Sequence, residues 1–81
     1  MSERLMIEGR LREKEREAAA LRLRISGLRD SIRNALDRYT PEEQLNADLA
    51  AAQAVELAAL RRELSEILYM MDAMKLDLGE K

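Results

Sequence analysis

The residues of this chain with types and spacings suited to chemistry are two pairs of carboxylates and a stripe of arginines. Glu13/Glu17 and Glu63/Glu66 stand four and three residues apart, which on a helix brings each pair onto one face, as general acid and base work requires. Such a pair needs a perturbed environment to act, and all four residues fall outside the apolar heptad stripes of the chain. A solvated helix face is the better reading. Ser26, Ser31 and Ser65 have no base to activate them, because the sequence contains no histidine and no cysteine; this also removes the usual metal ligands and the motif of a carboxylate-bridged metal bundle. No glycine-rich loop is present to cradle phosphate. The residues thus point to no catalytic, metal or cofactor-binding residue, and the expectation is a protein that is not an enzyme.

The arginines carry the other signal. Arg22, Arg24, Arg29, Arg33 and Arg38 fall close together, opposed locally by only Asp30 and Asp37. A stripe of this kind can follow a phosphate backbone, with Arg22, Arg29 and Arg33 the candidate nucleic-acid contacts. The competing reading pairs these arginines with acidic residues and lays their stems over apolar surface. The net charge of −2 and the presence of two tyrosines as the only aromatic residues favour this second reading.

The elements that must position these residues are long helices. Ala, Leu, Glu and Arg dominate, charged residues make up 37% and aromatics 2%, a mixture typical of coiled coils. In the first half, Ile7, Leu11, Lys14, Ala18, Leu21, Ile25, Leu28, Ile32, Ala35 and Tyr39 alternate steps of four and three, the spacing of a and d heptad positions, with only Lys14 breaking the apolar run. In the second half, Leu57, Leu60, Leu64, Ile67, Met71, Met74 and Leu78 form an unbroken series. Continued backwards that register gives Gln53, Ala50 and Asn46 while Leu45 and Leu49 fall one place off, so a drift of the stripe is expected near residues 50–56. Lys14, Gln53 and Asn46 are the polar seam candidates, too dispersed for a site and suited to fixing register.

Between the halves lies Tyr39-Thr40-Pro41-Glu42-Glu43, which contains the only proline. Thr40 is a good N-cap, Pro41 suits a first helical position, and Glu43 completes a capping box. The spacing therefore predicts one domain over residues 1–81, an all-α antiparallel two-helix hairpin. One helix covers about 3–38, a turn 39–41, and a second helix about 41–78.

Charge supports the reversal. Residues 1–39 hold ten Lys or Arg against seven Asp or Glu, and residues 40–81 hold four against nine. Folded at Thr40, the hairpin sets Arg38 beside Glu42, Arg24 beside Glu56 and Glu8 near Lys75. It also sets Glu17 beside Glu63 and Arg22 near Arg61, like-charge pairs that a second hairpin crossing near Leu21 and Leu60 would relieve. So short a chain struggles to bury a core alone, and apolar residues outside the seam need cover, so a homodimer forming a four-helix bundle is expected. The architecture resembles that of ROP-type hairpins, which dimerise and bind RNA, with no residue motif behind the likeness.

A last apolar feature sits where the chain ends meet. From Ile67 to Leu78 nine of twelve residues are apolar, and four of the five methionines gather at this end, flexible side chains suited to an adaptable surface. Met6, Leu68, Tyr69, Met70 and Leu76 are the candidate surface for a dimer contact or another protein. No apolar run approaches the roughly 20 residues of a membrane span and no basic leader precedes one, so a soluble cytoplasmic protein without a membrane partner is expected. The functional expectation is a homo-oligomeric interaction or assembly module, with nucleic-acid regulation through the first helix as the alternative.

Overall fold

In the computed structural model, which describes residues 2–79, two long helices lie against each other in a hairpin with extents of 61 × 19 × 14 Å. Helix α1 spans Glu3–Ala35 and helix α2 spans Ala47–Asp77. Ser2 caps α1, its hydroxyl accepting the Leu5 N–H at 3.2 Å. At the far end Gly79 takes φ +77 and donates its N–H to the Leu76 carbonyl at 3.0 Å. This is a left-handed stop that suits glycine, which has no Cβ to clash.

The heptad seams pack as the spacing requires. Leu11, Ala18 and Leu21 from α1 and Leu60, Ile67, Met71 and Leu78 from the second half form the buried core. Ile7, Ile25, Leu28, Leu64, Leu68 and Met74 pack half-buried around it. Lys14 holds its seam position by laying its stem inward and carrying its ammonium out to Glu17 Oε2, 3.0 Å away, the usual way a long cationic side chain occupies an apolar stripe.

The expected drift near residues 50–56 does not occur. Ala50 is buried and Gln53 half-buried, so the seam runs on in the same register, and Leu49 is left 42% exposed. Gln53 Oε1 lies in this seam, shielded from solvent and without a hydrogen-bond partner among the described residues. Tyr39 does not extend the α1 stripe; it is 83% exposed, with the Arg38 guanidinium 5.3 Å from its ring centroid.

The connection differs from the expected three-residue turn, and Thr40, Pro41 and Glu43 do not start α2. Helix α1 stops at Ala35, and the Asp37 carboxylate organises the start of the connecting segment. Its Oδ2 accepts the Tyr39 N–H at 3.2 Å and the Thr40 hydroxyl at 3.3 Å. The hydroxyl expected to cap the next helix is thus turned back toward the previous one. Pro41 opens only a single 3-10 turn at Glu42–Gln44, after which Leu45 returns to an extended conformation. The cap of α2 is Asn46, whose Oδ1 accepts the Leu49 N–H at 3.3 Å while its own N–H satisfies the Ala35 carbonyl at 3.3 Å. Asparagine ranks above threonine as an N-cap. From position 46 it also serves an orphan carbonyl at the end of α1, which a helix starting at Pro41 would leave unpaired.

Candidate functional site

With the seam turned inward, the hairpin offers two broad flanks and two outer edges, and the candidate residues distribute over all four. Arg22 and Arg29 follow the seam by one heptad place on the same flank, and Arg33 lies just beyond. All three are exposed, and none joins an ion pair among the described residues. Arg61 of α2 occupies the facing heptad place on that flank, so its middle is cationic. The wider arginine stripe divides: Arg24 reaches across to Glu56 Oε1 at 3.1 Å on the opposite flank, and Arg38 stacks on Tyr39.

That opposite flank carries a groove lined by Lys14, Glu17, Leu21, Arg24, Glu63, Glu66, Ile67 and Met70. Glu17 and Glu63 come together here as the register requires, and the Lys14 ammonium already neutralises Glu17 within the chain. Among the described residues no cluster of acidic side chains is arranged to hold a metal ion, and no charged side chain is buried. The carboxylates of the groove face solvent.

Comparison with protein-family models, curated proteins and solved structures finds no match to this chain. The surfaces themselves must carry the functional reading.

At the open end the chain termini are tied together by Arg4, whose Nη1 donates to the Leu78 carbonyl at 3.3 Å. Arg4 also holds Glu8, Nε to Oε1 at 3.2 Å, so Glu8 does not bridge to Lys75 as the register suggests. Nor do Arg38 and Glu42 form an ion pair, since the connection between them is an irregular segment and not a tight turn. The apolar residues of this end are distributed over two grooves, the core and an outer edge. Tyr69 and Met70 line a shallow groove with Ile7, Ala73 and Met74, while Met6 borders a separate one with Leu5 and Gly9. Leu68 is half-buried against the core. Leu76 is 73% exposed on the outer edge of α2, one turn beyond Ala73.

That outer edge is the feature the candidate residues only sampled. Val55, Tyr69 and Leu76, 72%, 78% and 73% exposed, occupy the heptad place facing directly away from α1. Exposed Ala52, Ala59 and Ala73 lie one turn from them. The signal was in the sequence as a second period-seven series running alongside the first, on the opposite side of the same helix.

Proposed function

We propose that this protein is a non-enzymatic, homo-oligomeric helical hairpin that acts as a protein–protein interaction or assembly module, two hairpins bringing four helices together. The observation that carries the reading is surface in excess of what the chain needs. A compact monomer of 9.3 kDa exposes about 5,000 Å², whereas the hairpin exposes 6414 Å². The excess, on the order of 1,400 Å², exceeds the roughly 800 Å² per partner of a standard interface. Its radius of gyration, 18.1 Å, compares with about 12 Å for a compact domain of this length. A single layer of contact between two helices cannot cover the apolar side chains on their outer edges, and a second copy is the simplest cover. Sedimentation equilibrium over micromolar concentrations tests this: a mass of twice 9.3 kDa supports it and a persistent monomer overturns it.

A second reading rests on one observation, the cationic flank of Arg22, Arg29 and Arg33, none of them in an ion pair among the described residues, with Arg61 facing them. On this reading the assembled hairpin binds nucleic acid through its backbone phosphates. Changing Arg22, Arg29 and Arg33 to alanine should then abolish a salt-sensitive association with RNA or DNA while leaving helicity unchanged; association that persists in the triple variant excludes this flank.

A further inference from the structure

The outer edge of α2 has a pattern that is complementary to itself. From Ala52 onward, one turn past the exposed Asp48, its two exposed heptad places read Ala52, Val55, Ala59, Arg62, Glu66, Tyr69, Ala73 and Leu76. Set a second α2 against this stripe in the opposite direction, with the two-fold axis between Arg62 and Glu66. Ala52 then faces Leu76 of the other copy, Val55 faces Ala73, Ala59 faces Tyr69, and Arg62 faces Glu66. Every large apolar side chain meets an alanine and every charge meets its opposite. Because the arrangement is two-fold, each pair occurs twice. Alternation of large and small across facing layers is what lets two helices approach to about 8 to 10 Å, and pairing between the two different places of the heptad is the geometry of antiparallel coiled coils. The stripe spans about 36 Å at 1.5 Å per residue.

We propose that the occupant of this face is a second copy of the same chain, docked antiparallel along α2 in that register. The proposal rests on the homo-oligomeric reading and names its surface. Charge selects the occupant. Arg62 and Glu66 form no ion pair among the described residues of the hairpin, so both are free to pair across the axis, and the sequence of signs is the one a self-complementary, isologous contact requires. The alternative flanks fit less well. One carries Arg22, Arg29 and Arg61, like charges that stacking two hairpins there would bring into the contact, and the other already pairs its charges within the hairpin, Lys14 with Glu17 and Arg24 with Glu56. Like charges approach at one rim beside the axis, where Glu63 lies level with its own symmetry mate and with Glu66 of the other copy.

The resulting assembly is an open row with the two α2 helices at its centre and the two α1 helices outside. It differs from a closed four-helix bundle, and it leaves the arginine flank uncovered.

Two experiments on the full chain decide it. The sequence has no cysteine, so single cysteines report register directly. Chains carrying Val55→Cys and Ala73→Cys, mixed and oxidised, should yield a covalent heterodimer. Either alone should not, because identical positions lie about 27 Å from each other along the axis in this register. Arg62→Glu or Glu66→Arg alone should weaken the dimer by about tenfold or more, since each turns two attractive pairs repulsive, and the double exchange should restore it. Circular dichroism of each variant verifies that the hairpin itself is intact. If dimers form but the mixed cysteines fail to link and the charge exchanges have no effect, this register is wrong while the oligomeric reading stands. A wild-type chain that is monomeric throughout overturns both.

Discussion

Replacing Asn46 with alanine separates two accounts of where α2 begins, and the structure assigns the effect a size. The Asn46 Oδ1 accepts the Leu49 N–H, one of four donors at the start of α2 with no partner inside the helix. Truncating an asparagine cap to alanine costs about 0.5 to 2 kcal/mol, typically about 1. The Asn46 N–H, which serves the Ala35 carbonyl, survives the change, so no second loss is added. Thr40→Ala removes only a donor to Asp37 Oδ2 at 3.3 Å on an exposed turn, and the carboxylate regains water. Its cost should stay within about 0.5 kcal/mol, the usual range for a surface change. Urea unfolding followed by circular dichroism at 222 nm, at one fixed protein concentration because association adds to apparent stability, should therefore show a lowered midpoint for Asn46→Ala and an unchanged one for Thr40→Ala. A difference of about 1 kcal/mol corresponds to a thermal midpoint shift of about 4 to 8 °C in a chain of this size. If Thr40→Ala is the more damaging change, α2 starts at Pro41 and the irregular connection through Asp37 and Asn46 is wrong.

Two further changes test the seam. Gln53→Leu should stabilise the protein by about 1 to 2 kcal/mol, because it removes a shielded acceptor that has no partner among the described residues and adds apolar contact in its place. A loss of stability would mean that the amide has a partner in solution. Ala18, fully shielded between the helices at 0% exposure, should tolerate no enlargement. Ala18→Leu should cost about 1 to 3 kcal/mol by overpacking, and a neutral result in denaturant unfolding would show that the seam is loosely packed at that level.

Ile7 through Ala35 and Leu57 through Leu78 were legible as the buried stripes because a heptad is a geometric statement: the residues that recur along one side of a helix are the ones another helix can cover. The pairing of Arg24 with Glu56 followed from the same geometry. The misread places are those where local chemistry competes with the pattern. Thr40, Pro41 and Glu43 carry the marks of a helix start, but so does Asn46, and the choice between them depends on the Asp37 carboxylate and the Ala35 carbonyl, which only the folded connection brings near. The drift was expected because Leu45 and Leu49 fall one place off the register, yet Ala50 is buried and Gln53 half-buried in that register. Arg4 took Glu8 from Lys75 because a partner one turn away on the same helix needs no second helix to be in place. The surface residues were the least legible. Tyr69 and Leu76 stood out singly as exposed apolar residues, whereas their meaning lies in the series they form with Val55 and the alanines, which becomes visible once α1 is known to occupy the other side of α2.

Whether the hairpin functions as one half of a symmetric assembly is tested most directly by its mass in solution. Sedimentation equilibrium of the unmodified chain, repeated with Arg62→Glu, should give twice 9.3 kDa for the former and a mass falling toward the monomer for the latter at the same micromolar concentration. A wild-type chain that remains at the monomer mass throughout would contradict the account.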